Sequence, residues 1–312
     1  MPVDPQIEAM LAAAPPWPGV RNMDLATLRQ AVRDSSVMLP PPPDAPVAAV
    51  EDRTIDGPGG PLGLRLYTPE GSAPFPVIIY CHGGGYVVGD LDTQDMIARA
   101  LCAWSGAIVV SVDYRLAPEH PFPAAPDDTF AALQWAAGHA ADFGGDPTRL
   151  AVAGDSAGGN LVAAAALRAR DLGGPALRAQ VNIYGSCNYP SELTASAREF
   201  AAGPLLQQDD IAWFYEQYLP DPAVQQHDPQ ASPVRAASHA NLPPTFVGTA
   251  ECDPSRDDAE AFGAKLAAAG VPVTVKRYPG MVHGFASWVG FLPGARAVLQ
   301  DAAAFLKLHL EN

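Results

Sequence analysis

The chain has 312 residues, 48% hydrophobic and 17% charged, which is enough apolar surface for a sizeable core and excludes a disordered or fibrous protein. Its 19 basic against 34 acidic residues leave a formal charge of −15, so nucleic acid and anionic lipid are repelled rather than bound. Apolar runs such as residues 76–80 and 107–112 fall far short of the ~20 residues that a membrane span requires.

The first residues carry Asp4 and Glu8 and lack the basic-then-apolar order of a secretory signal, so a cytoplasmic location is expected. Residues 7–13 and 25–38 have helix-like apolar spacing, interrupted by Pro15, Pro16 and Pro18, and predict two short helices. Residues 39–46, with prolines at 40 to 43 and 46, form a stiff linker. Beyond it, β-branched runs at 76–80, 107–112, 150–153, 179–184, 245–249 and 271–278 alternate with alanine-rich helical runs at 96–104, 127–137, 161–171 and 257–269. That alternation predicts an α/β fold with a mostly parallel sheet and helices on both faces. The stretch 184–240 breaks the pattern, with a helical run at 206–219 and no sheet signal, and reads as a helical insertion. The four cysteines, Cys81, Cys102, Cys187 and Cys252, lie too far apart for metal-ligand spacing, so no metal is expected and the thiols are assigned to the core.

Chemistry is concentrated at a few loops. Gly154-Asp155-Ser156-Ala157-Gly158 lies between a strand and a helix, the context in which GxSxG presents a serine on a sharp turn. The following helix N-terminus then points N–H groups at any anion formed beside Ser156. His82-Gly83-Gly84-Gly85-Tyr86 follows the strand at 76–80, and its glycines let the backbone turn donors toward a substrate carbonyl. No P-loop or dinucleotide fingerprint accompanies it, so no cofactor is expected, and His82 is assigned to fixing the loop.

A serine hydroxyl needs a base oriented by a carboxylate. Among seven histidines, His283 sits in a small-residue loop after a strand, where α/β sites gather, whereas the others lie in polar or helical stretches. Asp253 directly follows the strand at 245–249 and precedes Pro254, which presents its side chain from a loop; Asp257 is the next candidate. Ser255 and Asp258 fit a helix-capping pattern, and Glu251 is assigned a supporting role. The chain order Ser156, Asp253, His283 is that of α/β-hydrolases.

These motifs, together with Gly89-Asp90-Leu91-Asp92, the run from Asp113 through Ala125, Asp253-Pro254 and His283-Gly284-Phe285, resemble the bacterial branch of the hormone-sensitive lipase family, the family IV carboxylesterases. The resemblance implies an α/β-hydrolase fold with a helical cap and a triad of Ser156, Asp253 and His283. It places the oxyanion hole at the amides of Gly84, Gly85 and Ala157. Residues 1–45 would contribute helices to the cap and 186–225 its inserted part, over a core of 46–185 and 226–312. Tyr114, Arg115 and Glu119 would form a network behind the oxyanion loop. One departure stands out: the family pattern DPLxDE reads Asp253-Pro254-Ser255-Arg256-Asp257-Asp258 here.

The expected activity is hydrolysis of short to medium acyl esters through an acyl-enzyme, with a pocket built from Tyr86, Leu205, Leu206 and Phe214. The expected partner is a small-molecule ester, and the expected state a monomer or homodimer. Two alternatives remain at this point: an amide or aryl-acetamide deacylase using the same triad, and a non-catalytic receptor on the same scaffold. The receptors of this kind lack the histidine that His283 supplies.

Overall fold

The structure, a computed structural model, describes residues 2–14, 17–190 and 193–311. The expected break at Pro15 and Pro16 lies outside them. The strands are β1 (Ala49–Gly57), β2 (Gly60–Thr68), β3 (Phe75–Cys81), β4 (Ile108–Asp113), β5 (Gly145–Asp155), β6 (Leu177–Ile183), β7 (Thr245–Cys252) and β8 (Val273–Val282). The helices are α1 (Pro5–Ala13), α2 (Leu25–Val37), α3 (Asp95–Ser105), α4 (Ala124–His139), α5 (Ala157–Leu172), α6 (Ala195–Glu199), α7 (Gln208–Tyr218), α8 (Pro222–Gln225), α9 (Arg256–Ala268) and α10 (Pro293–Leu310).

The strands form one sheet in the order β1-β2-β4-β3-β5-β6-β7-β8, antiparallel at β1-β2 and β2-β4 and parallel from there on. Strands β3, β4 and β7 are almost wholly buried, which is why they read as continuous apolar runs: helices cover both of their faces. One face carries the cluster of Tyr80, Ile97, Phe246 and Leu299; the other carries Val110, Val152, Leu161 and Leu133. All four cysteines are buried. No helix among the described residues is long and apolar enough to cross a membrane.

Two elements are added to the sequence reading. The β1-β2 hairpin joins an exposed edge strand, β1, with little apolar surface to reveal it, to β2, whose buried Leu62, Leu64 and Leu66 alternate with half-buried neighbours and form no continuous apolar run. The eighteen residues of α10 continue the core face with Val298, Leu299, Ala302 and Leu306. Strand β8 also runs on to Val282 rather than stopping at Tyr278, across a register shift between Ala250 and Cys252 on β7.

Strand order positions the site. The chain leaves β3 toward β4 on one side, while β5 pairs with β3 on the other, so the loops after β3 and β5 diverge from a common crevice. Cys81 pairs with Gly154 at that edge, which brings the glycine loop beside the serine turn. The ends of β7 and β8 lie along the same edge.

Candidate active site

Ser156 sits between β5 and α5 with φ +50° and ψ −122°, outside the regions open to ordinary side chains at low cost. The turn closes only because of its neighbours: a Cβ at Gly158 would lie 1.9 Å from the Cys81 carbonyl oxygen. The Ser156 N–H donates to the Ile183 carbonyl at 2.9 Å, tying the turn to the end of β6.

Strands β7 and β8 bring the other two groups to this serine. His283 follows β8 immediately, and its Nε2 lies 2.7 Å from Ser156 Oγ. Its Nδ1 lies 2.8 Å from Asp253 Oδ2. Asp253 is fully buried, and its second oxygen accepts the Ser255 N–H at 2.8 Å. Burial alone would lower the His283 pKa, but the charge and hydrogen bond of Asp253 outweigh it and the net shift is upward. With His283 neutral, Nδ1–H donates to Asp253 and Nε2 accepts from the serine hydroxyl.

Asp257, the other carboxylate considered, faces away and accepts the Ser196 N–H at 2.8 Å. The capping expected of Ser255 and Asp258 is not formed: the Ser255 side chain makes no capping bond, and Asp258 instead accepts from the Ser186 hydroxyl. The reason is geometric, since Asp253 has already taken the Ser255 amide. Glu251 accepts the Gly280 N–H at 2.9 Å, pinning the segment that leads into His283.

The glycine loop faces the serine from the end of β3. Gly84 has φ +126°, and a Cβ there would lie 2.0 Å from the Val88 carbonyl oxygen, so the loop turns tightly and leaves its amides inward. Gly84, Gly85 and Ala157 line the same cavity as Ser156 and His283. None of their three amides has a hydrogen-bond acceptor among the described residues. His82 lies outside this group: its Nδ1 bonds the Gly83 carbonyl at 2.7 Å and its ring stacks on Tyr114, whose hydroxyl donates to the His82 carbonyl at 2.8 Å. Burial lowers its pKa to about 4, so it is neutral at any ordinary pH.

Of the network expected behind this loop, only Tyr114 touches it directly. Arg115 pairs with Asp128 on α4, and Glu119 pairs with Arg29 of α2. Arg29 is the missing link, because its side chain also donates to the carbonyls of Val87 and Ala117. Another residue the sequence reading passed over is Asp155, whose Oδ1 accepts from the Tyr80 hydroxyl at 2.6 Å and the Gly83 N–H at 2.9 Å. That carboxylate is fully enclosed, and burial pushes its pKa up. Its place inside GxSxG, next to the serine, was the available signal.

The cavity over the serine, counted together with its open mouth, measures about 780 Å³. Tyr86, Leu206 and Phe214, assigned to the pocket in the sequence reading, line it, and Ile211 and Tyr215 join them from α7. Leu205 does not: it is 38% exposed and lies outside the lining, because α7 starts only at Gln208 and Leu205 belongs to the preceding loop. Ser186, Ser255, Gln94 and Ser287 are polar wall residues that periodicity alone could not find. Among the described residues, none from α1 or α2 reaches the cavity. Arg21, just before α2, instead braces α7 from outside through Asp209 and Glu216.

A mainly parallel sheet that presents serine, acid and histidine in that chain order from the ends of β5, β7 and β8 defines the α/β-hydrolase class. Comparison with known proteins agrees. A family model described as alpha/beta hydrolase fold matches residues 78–287. Esterase LipI of Mycobacterium tuberculosis is 44% identical over 315 aligned positions, covering 99% of this chain and 96% of that protein. Carboxylesterase NlhH of the same species is 44% identical over 271 positions, covering 86% and 85%. A solved hyperthermophilic esterase from the archaeon Pyrobaculum calidifontis superposes with a TM-score of 0.92 at 41% identity, covering 99% of both chains. The chain belongs to the α/β-hydrolase fold family, in its hormone-sensitive-lipase-like branch.

Proposed function

We propose that Ser156 is the nucleophile, His283 the general base and Asp253 the carboxylate that orients it, with the amides of Gly84, Gly85 and Ala157 as the oxyanion hole. The chain is a carboxylic ester hydrolase. The observation that carries the residue assignment is the unbroken relay at 2.7 and 2.8 Å beside three amides with no acceptor of their own. As Ser156 Oγ attacks the ester carbonyl carbon, its proton passes to His283 Nε2 and the carbonyl oxygen takes up negative charge facing the three amides. The imidazolium then protonates the leaving alkoxide, giving free alcohol and an acyl-Ser156 ester. Water, deprotonated by the same nitrogen, attacks that ester and releases the acid.

The cap in this reading is 186–225, braced by residues 1–45, over a core of 46–185 and 226–312. An apolar wall of Leu206, Ile211 and Phe214 over the serine supports short to medium acyl chains as substrates. The acidic surface supports an enzyme that meets small diffusible esters, in the cytoplasm, rather than lipid surfaces.

An organophosphonate ester tests the assignment. Stoichiometric covalent labelling at Ser156, absent in Ser156→Ala, is the expected result; labelling at another serine overturns it. A p-nitrophenyl acyl series is expected to peak at short or medium chains, and a maximum at long chains would remove the substrate class.

A further inference from the structure

Three successive residues of the glycine loop, Gly84, Gly85 and Tyr86, have φ of +126°, +59° and +66°. Glycine adopts such values at little cost, but a bulky side chain does not, so Tyr86 must be held in place from outside. The hold comes from α7. The Tyr86 ring is buried and stacks on the ring of Tyr218, centroid to centroid 3.8 Å with the planes 6° apart, and Tyr215 borders it at 6.0 Å. One turn earlier on α7, the Phe214 ring occupies the space beside Gly85: a Cβ there would lie 2.4 Å from it. Tyr218 is itself fixed, since its carbonyl accepts the Phe122 N–H at 2.9 Å and its ring meets Phe122 edge-on. Its buried hydroxyl has no partner among the described residues, so the ring and not the polar group makes the contact.

We propose that Phe214 and Tyr218 are positioning residues for the oxyanion hole, with α7 clamping the glycine loop beside Ser156. The inference rests on the assignment of the Gly84 and Gly85 amides above and adds what keeps them aimed. With its ring stacked, residue 86 cannot relax to an ordinary φ, because that rotation would swing the side chain off Tyr218. With Phe214 against Gly85, the peptide groups on either side of residue 85 have no room to turn. The loop is therefore gripped at both ends: Asp155 takes the Gly83 N–H, and α7 packs on Gly85 and Tyr86. Amides fixed before charge develops lose nothing to reorganisation during the reaction. A helix whose Ile211 and Phe214 also wall the cavity thus takes part in transition-state stabilisation as well as in substrate fit.

Two ketones of one chain length separate these roles. Ser156 Oγ adds to the carbonyl carbon of butyl trifluoromethyl ketone, its proton passes to His283 Nε2, and a hemiketal oxyanion is left facing the amides; butyl methyl ketone fills the same space without that charge. The ratio of their inhibition constants, measured against p-nitrophenyl butyrate hydrolysis, therefore reads the oxyanion hole and cancels pocket fit. In Tyr218→Leu and Phe214→Leu the fluorinated ketone is expected to weaken about 10- to 100-fold relative to the plain one, with a similar loss of kcat/KM, the scale of a misplaced donor. Tyr218→Phe keeps the stacked ring and is expected to restore the ratio. Phe214 is half-buried, and its variant decides the matter if melting curves show Tyr218→Leu unfolded. A ratio unchanged in the folded leucine variants, even where both ketones weaken, overturns the clamp while leaving the esterase reading intact. A Tyr218→Phe variant as impaired as Tyr218→Leu removes the role of the ring. Should the wild type neither hydrolyse the butyrate nor prefer the fluorinated ketone, the oxyanion assignment itself fails, and the clamp with it.

Discussion

On the inner wall of the cavity, the buried Asp155 holds the Tyr80 hydroxyl and the Gly83 amide; outside it, Arg21 grips Asp209 and Glu216 of α7 through side chains that are 35%, 67% and 53% exposed. The same contrast recurs nearby. Asp253 is buried against His283, whereas α2 is fastened by Arg33 to Asp90 and Asp92 at the surface. Buried hydrogen bonds to a charged group are strong and insensitive to salt, while exposed ion pairs are weak and screened. The floor of the site is held by buried hydrogen bonds, and α7, which carries Ile211 and Phe214, is anchored in the core by Tyr215 and Tyr218 and gains from Arg21 only a solvent-exposed brace. The placement of Ser156, Asp253 and His283 thus rests on buried polar contacts, while the exposed pairs only brace the outside of the wall.

The contrast can be broken at its strongest point first. Ser156→Ala removes the proposed nucleophile without disturbing packing, and steady-state assays on p-nitrophenyl butyrate are expected to show a loss of kcat of at least about 10⁴-fold. Residual activity near wild type would remove the serine from the chemistry altogether.

Asp155→Asn probes the floor while leaving the side chains of Ser156, Asp253 and His283 in place, and it also removes a charge that helps raise the His283 pKa. Weakening its grip on Gly83 should misplace the oxyanion loop and lower kcat, by less than the ~10² to 10³ of deleting a donor outright. KM is expected to stay close to its original value, because the loss falls on the transition state. A variant with unchanged kcat would show that the loop does not depend on this carboxylate.

The pH profile sharpens the electrostatic half of the comparison. Protonated His283 cannot accept the serine proton, and its pKa is raised by Asp253, so activity is lost as pH falls through a value above the ordinary ~6.5. Below that inflection kcat/KM should drop about tenfold per pH unit. An inflection well below 6.5 would mean that burial, not Asp253, controls the ring.

The smallest effect belongs to the periphery. Arg21→Ala should reduce stability to urea by no more than about 0.2–1 kcal/mol per pair lost, and high salt should produce a similar change in the wild type. A kcat loss matching that of Asp155→Asn would erase the distinction between the two regions.

Local residue chemistry pointed to the parts of the proposed site, which the fold brings together. GxSxG between a strand and a helix, three successive glycines after a strand, and a strand-end Asp253 and His283 are signals carried by neighbouring residues, and the buried parallel strands announced themselves as unbroken apolar runs. The β1-β2 hairpin escaped because an exposed edge strand has no such run, and Leu205 was placed in the pocket because helical spacing does not say where a helix begins. What no local pattern contains is which distant groups meet. That Asp155 would bridge Tyr80 and Gly83, and that Arg29 would reach the carbonyls of Val87 and Ala117, follow from the packing of segments far apart along the chain. Those pairings depend on burial and shape across the folded sheet, quantities that a residue acquires only from its neighbours in space.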